Sequence, residues 1–189
     1  MTRTTFYTAT TLDGYLADDH DSLDWLFVQE QDEGGPLGYE DFIRRIGAIV
    51  MGRTTYEWVV DHLARTGEKW PYEQPTWVFT HAELEPVADS ITFVAGSPQE
   101  HHPAIAAAAG GKDIWMVGGG ALAADWAEAG LLHELILYVA PVTLGSGRPL
   151  FPRPFDLRLV ELAQNKAFAC ARYEVVGPRT METAGGAPQ

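Results

Sequence analysis

Hydrophobic and polar positions along this chain switch repeatedly between a period of two and a period near four, and the switches mark the elements it predicts. Phe6 to Leu12 mixes aromatic, threonine and aliphatic residues as a strand does, and Asp13-Gly14 closes it with a turn. After an acidic, glycine-bearing stretch from Asp18 to Gly38, the residues Tyr39, Phe42, Ile43 and Ile46 recur at helical spacing. This predicts a helix over Tyr39 to Arg45 packed on a sheet. Ala48 to Met51 is a short buried strand, and Gly52-Arg53 leads into Thr54-Thr-Tyr-Glu57, the spacing of a capping box that opens a second helix. Thr76 to Thr80 and Ser90 to Val94 read as further strands. Ser97-Pro98-Gln99-Glu100 then combines an N-cap, a proline at the first helical position and an acid two residues later, starting an alanine-rich helix that reaches Ala109.

The most distinctive segment is Asp113 to Asp125, an apolar run broken by Gly118-Gly119-Gly120 and followed at once by a helix-forming stretch. It reads as a strand turning sharply into a helix, with bare backbone N–H groups at the helix start, where an anion is favoured. Glu134 to Ala140 is the next strand, Pro141 to Pro154 a long connection rich in glycine and proline, and Leu157–Leu162 and Phe168–Val176 are two closing strands. Strands alternating with helices in this way imply an α/β fold. The expected sheet is central, mixed and mostly parallel, flanked by helices, with hairpin pairing only at the C-terminal end.

Composition narrows the picture. A chain of 189 residues with 46% hydrophobic positions fits one domain, taken as 1–176, with 177–189 expected as a disordered tail that has little to bury. Thirteen basic against 26 acidic residues give a net charge of −13, which repels nucleic-acid backbones, so an anionic ligand must be held locally. No apolar run approaches membrane-spanning length, and the start of the chain lacks the apolar core of a secretion signal; a cytoplasmic location is expected. A single cysteine, Cys170, rules out an intrachain disulfide and a multi-cysteine metal site, and is expected as a small core residue. No metal is expected from the histidines either, since none pairs with another four residues on.

Several familiar sites can be tested against the residues. Gly118-x-Gly120-x-x-Ala123 satisfies the dinucleotide fingerprint of a Rossmann domain, but the following strand ends in Val139-Ala-Pro141 without the acid that holds the ribose hydroxyls. No Gly-x-x-x-x-Gly-Lys-Ser/Thr phosphate loop and no Gly-x-Ser-x-Gly elbow occurs. His81-Ala-Glu83 has the His-x-Glu spacing of zinc nucleobase deaminases without their cysteines. What remains is a second anion-ready turn, Val50-Met-Gly-Arg-Thr-Thr55, which adds a guanidinium and two hydroxyls at a helix start. Arg53 is then either the group that matches the 2′-phosphate distinguishing NADP from NAD, or a solvated arginine beside the capping box.

The order of four motifs, Thr11-Leu-Asp-Gly-Tyr-Leu-Ala17, Ile49-Val-Met-Gly-Arg-Thr-Thr-Tyr-Glu57, Ile114-Trp-Met-Val-Gly-Gly-Gly120 and Leu137 to Phe151, resembles the dihydrofolate reductase-like superfamily. The resemblance is greatest to the branch holding the reductase domain of riboflavin biosynthesis, the RibD C-terminal domain, and covers residues 4 to 176. It implies an NADPH-dependent reductase with a three-layer dihydrofolate reductase-like fold, homodimeric as in that branch. On the residues that match, Val117, Gly118, Gly119, Gly120, Ala121 and Leu122 would hold the pyrophosphate. Gly52, Arg53 and Thr54 would hold the adenosine-side phosphates, and Thr80 and His81 would lie beside the adenine and the 2′-phosphate. Ala9, Thr10, Leu16 and Ala17 would line the nicotinamide.

On the substrate side the resemblance implies hydride transfer to an electron-poor C=N or C=O carbon, with a proton delivered to the neighbouring heteroatom. Trp25 matches the tryptophan region of folate reductases, Glu30 falls near their pterin-pairing acid, and Tyr138 stands where they carry a threonine, able to shape the pocket and donate a proton. Asp13 is shared with the riboflavin branch, as a group touching substrate or ribose or simply as part of a turn. That branch's substrate carries a phosphate, which calls for bases near the first loop, yet none follows Tyr15 until Arg44 and Arg45. A nucleotide-binding module without turnover is the alternative from a different class.

Overall fold

The computed structural model describes residues 2–180. One eight-stranded sheet organises them: β1 (Thr4–Thr11), β3 (Ile46–Gly52), β4 (Thr76–Phe79), β5 (Ile91–Val94), β6 (Asp113–Gly118), β7 (Glu134–Ala140), β9 (Phe155–Asn165) and β10 (Phe168–Pro178). Their order is β5-β4-β3-β6-β1-β7-β10-β9. The first six run parallel, β10 pairs antiparallel with β7, and β9 forms a hairpin with β10. The chain's first strand therefore lies in the middle, in register with β6 through Thr4–Phe6 and with β7 through Thr5–Thr11.

Alternation along the central strands divides the core into two layers. Ile49 and Met51 of β3, Trp115 of β6 and Ile136, Tyr138 and Ala140 of β7 face one way. They meet Trp25 of α1 (Asp24–Phe27), Phe42 of α2 (Tyr39–Arg44) and Tyr56 of α3 (Arg53–Thr66). Ala48 and Val50, Ile114 and Met116, and Leu135 and Leu137 face the other way, under Ile105 of α4 (Pro98–Ala108) and Ala123, Trp126 and Ala127 of α5 (Gly120–Glu128). Strands buried on both faces carry near-continuous apolar runs, which is what β3, β6 and β7 show. Cys170 is a fully buried member of the first layer.

The expected α/β architecture is present, with corrections that have local causes. Ile46 belongs to β3 rather than to the helix before it, because Arg45 ends α2 and Ile46 pairs with Asp113. The Thr54–Glu57 capping box does not form. Helix α3 starts two residues earlier, with Gly52 rather than Thr54 as N-cap, and Glu57 instead accepts from Arg53 Nε at 2.8 Å. The box at Ser97 does form: its N–H donates to the Glu100 carboxylate at 2.9 Å, and Pro98 opens α4. The Pro141–Pro154 connection is not wholly irregular, since β8 (Arg148–Pro149) pairs with β2 (Tyr15–Ala17) in a separate two-stranded ribbon. Of the tail, Gly177 and Pro178 extend β10 against Asp156 and Phe155, and 181–189 lie outside the described residues.

Candidate functional site

The carboxyl ends of β1, β3 and β6 deliver the chain into helices or loops on one side of the sheet, the position where parallel α/β sheets bind ligands. A cavity of about 850 Å³ opens there. Val117, Gly118, Gly119, Gly120 and Ala121 line it together with Thr54 and Thr55 from the start of α3, Ala9 of β1, and Leu16 and Ala17 of β2. The two glycine-bearing turns thus meet at one site.

Their geometry suits an anion for a physical reason. Of the three helices longer than eight residues among the described residues, α4 is closed by its own capping box, whereas α3 and α5 have Gly52 and Gly119 as N-caps with no side chain capping them. Each therefore presents first-turn N–H groups without an intrahelical acceptor. A Cβ built on Gly119 would meet nothing within 4 Å, so its lack of a side chain leaves open space rather than relieving a clash. Gly120 is the opposite case, since a Cβ there would stand 2.4 Å from the Pro149 carbonyl oxygen and 2.5 Å from that of Leu150. Close packing of α5 against the loop after β8 requires a glycine at that point.

The remaining candidate cofactor residues take varied places. Thr10 is buried behind the wall, its hydroxyl donating to the Tyr15 carbonyl at 3.1 Å. Gly52 stands beside the glycine turn, a Cβ there lying 3.7 Å from Gly118 O, while Leu122 turns into the second core layer. Arg53 is exposed, paired with Glu57, and outside the cavity wall. Thr80 is nearly buried and accepts from Ala82 N through its hydroxyl at 2.9 Å, with His81 exposed beside it at the end of β4.

The other end of the cavity is aromatic. Tyr7, Tyr39, Tyr72, Trp115 and Tyr138 line it, with Phe27 and Trp58 stacked at its rim. Trp115 is the hub: its ring meets Tyr7 and Tyr72 edge-on, at centroid distances of 6.4 and 5.4 Å, and its indole N–H donates to the Tyr7 carbonyl at 3.1 Å. Burial holds the phenols of Tyr7, Tyr72 and Tyr39 above their ordinary range, the neighbouring Tyr138 adding to the effect at Tyr7 and Glu33 at Tyr39. These rings stay neutral across the working pH range.

Of the substrate-side candidates, Tyr138 is in the wall and the others are not. Its hydroxyl donates to the Pro36 carbonyl at 3.2 Å and accepts from Asn165 Nδ2 at 3.0 Å, and burial raises its pKa. Trp25 is buried in the core while its neighbours Leu23, Leu26 and Phe27 take the cavity wall. Glu30 is exposed between Gln29 and Gln31, which do line the cavity. The Asp13 carboxylate accepts from the Thr11 hydroxyl and from the N–H groups of Leu144 and Gly145, at 3.0 and 2.7 Å. Those bonds, the Thr11 hydroxyl first, hold it below the usual carboxylate range, and it pins the loop after β7 to the turn after β1.

Residues that the sequence alone did not single out make up much of the wall. Tyr7 shares a strand face with Ala9, so an aromatic two positions before a predicted cofactor residue was an available signal. Tyr72 lies in an irregular stretch between α3 and β4, where no periodicity marks it. Asp21 is another such residue; Arg148, which its place in the Gly/Pro-rich loop offers to a substrate anion or to local carbonyls, lines the cavity paired with it, Nε to Oδ1 at 2.6 Å and an NH₂ group to Oδ2 at 3.1 Å, across 127 residues of sequence.

The family model of the RibD C-terminal domain matches residues 4–176. The chain is 32% identical over 170 residues to the uncharacterized protein YwjB of Bacillus subtilis (strain 168), covering 89% of this chain and 94% of that one. Among solved structures it is similar to a putative riboflavin biosynthesis protein from Shewanella sp. PV-4, with a TM-score of 0.76, 24% identity, and coverage of 92% and 98%. It is also similar to a Thermotoga maritima diaminohydroxyphosphoribosylaminopyrimidine deaminase/5-amino-6-(5-phosphoribosylamino)uracil reductase. There the TM-score is 0.59 at 12% identity, and the match spans 92% of this chain and 56% of that one.

Proposed function

The chain belongs to the RibD C-terminal domain family, and from that premise we propose that it is an NADPH-dependent reductase acting on a small heteroaromatic, imine or carbonyl substrate. One observation carries the reading: two helix N-termini without side-chain caps, at α3 and α5, converge on a single cavity whose far end is aromatic. The open space at Gly119 fits a pyrophosphate held by backbone N–H groups, and Arg53 at the start of α3 would turn from Glu57 to a 2′-phosphate. Ala9, Leu16 and Ala17 would line the nicotinamide, with Thr80 and His81 toward the adenine. NADPH would supply the hydride; the protein positions the substrate ring against it and keeps water from the site. Tyr138, neutral and in the wall, is the group placed to meet the substrate heteroatom.

The decisive test is fluorescence titration with NADPH and NADH. NADPH is expected to bind tighter by about ten-fold or more, and Arg53→Ala is expected to erase the difference, because the guanidinium is the 2′-phosphate's partner. Equal affinities in the parent protein would remove the 2′-phosphate assignment. A second reading, binding without turnover, draws on the internal commitment of the Tyr138 proton to Pro36 and of the Asp13 carboxylate to its loop. Single-turnover oxidation of bound NADPH on mixing with imines, quinones and pyrimidine derivatives separates the two. A homodimer is part of the proposal: β9 is a sheet edge with Leu159 and Leu162 half to two-thirds exposed, and light scattering reads the state directly. Among the described residues no helix is long and apolar enough to cross a membrane; a cytoplasmic location is part of the proposal.

A further inference from the structure

We infer that the substrate of this site is a planar ring compound carrying no phosphate, bound in the slot that Tyr7, Tyr39, Tyr72 and Tyr138 form around Trp115. The inference rests on the reductase reading for which end of the cavity takes the substrate. The distribution of charge along the wall carries it. Among the described residues lining the cavity there is one cation, Arg148. It sits on β8 beside Ala17, at the glycine-turn end, and one edge of its guanidinium, Nε with one terminal NH₂, is already engaged by both carboxylate oxygens of Asp21. Asp19 and Asp18 add further negative charge around it.

At the aromatic end the groups are neutral phenols, an indole, the amides of Gln29 and Gln31, and the carboxylate of Glu33 beside Tyr39. Arg44, one of the two nearest downstream bases, is ion-paired with Asp41 on the exposed face of α2, and neither it nor Arg45 lines the cavity. A phosphate delivered there would lose its hydration without gaining a cation and would approach Glu33. A flat ring meets what the slot offers. Tyr72 and Trp115 stand at 88° to each other and Tyr7 and Trp115 at 87°, giving faces and edges for stacking at both walls, with polar rims to orient ring heteroatoms.

The test compares pairs of compounds that differ only in a phosphate: 5-amino-6-ribosylaminouracil against its 5′-phosphate, and riboflavin against riboflavin 5′-phosphate. Each is titrated into the intact protein by calorimetry, without cofactor and again with NADPH present. The neutral member of at least one pair is expected to bind about ten-fold tighter than its ester or better, and Glu33→Arg, at an exposed rim position, is expected to close that gap by strengthening the ester. Esters that bind as tightly as their neutral partners in both pairs, a gap that Glu33→Arg leaves unchanged, or failure of both neutral rings to bind overturns the inference. Neutral rings that bind while NADPH does not would instead overturn the reductase reading and leave this one standing.

Discussion

The glycine-turn end of the cavity and its aromatic end are built on the same two strands by opposite means. β1 contributes Ala9 to one and Tyr7 to the other; β6 contributes Gly118 to one and Trp115 to the other. At the first end recognition is offered by backbone, and side chains are small so that a ligand can approach N–H groups. At the second it is offered by side chains gathered from β1, α2, the α3–β4 connection, β6 and β7. A site made of backbone is generic for phosphate and fixes a cofactor class, while a site made of side chains carries the individuality of the protein.

The contrast can be broken at either end. Trp115→Ala has the largest expected effect, because this 6% exposed side chain is both wall and core: a loss of about 3–5 kcal/mol in denaturant unfolding is expected. Trp115→Phe is expected to keep the fold and weaken ring ligands while leaving NADPH affinity within about two-fold. Gly120→Ala comes next. Its new methyl meets the carbonyls of Pro149 and Leu150, so a destabilisation of about 1–3 kcal/mol is expected, together with weakened NADPH binding and retained ring binding. If each variant impaired both ligands equally, the two ends would be one site.

The smallest effect is a control far from both ends. His133 accepts a hydrogen bond from Thr4 N at 3.0 Å through Nδ1, and burial lowers its pKa from the ordinary 6.5. The unfolded chain therefore binds a proton before the folded one does. Stability is expected to be at its full value above pH 6.5 and to decline as pH falls below it, with His133→Gln flattening that decline in thermal melts. Ligand affinities at the two ends should not follow it.

Legibility in the sequence differs between the two ends for the same reason that their chemistry does. Glycines at strand-to-helix turns are local: Gly52 and Gly118–Gly120 announced themselves by residue type within a few positions. The fold was legible likewise, since β3, β6 and β7 carry unbroken apolar runs and the Ser97 box marks α4. The aromatic end was not, because Tyr7, Tyr39, Tyr72 and Trp115 become neighbours only through sheet order and loop path. Local signals also misled where two options had similar energies. Thr54 and Glu57 have capping-box spacing, but a glycine N-cap with an Arg53–Glu57 pair serves α3 instead. The Asp21–Arg148 pair, which neutralises the one cation lining the cavity among the described residues, has no local signature at all.

The position of β1 governs when this site can exist. The first strand made is the one that ends between two of the later ones, β6 and β7. A growing polypeptide emerging from the ribosome thus holds Thr4–Thr11 with neither partner until 113–118 appear, and with only one until 134–140 follow. Non-local pairing of this kind slows folding and leaves an apolar strand waiting, an interval in which chaperones or self-association compete for it. Tyr7 and Ala9 ride on that strand, so neither end of the cavity can be complete before residues 113–140 have been made.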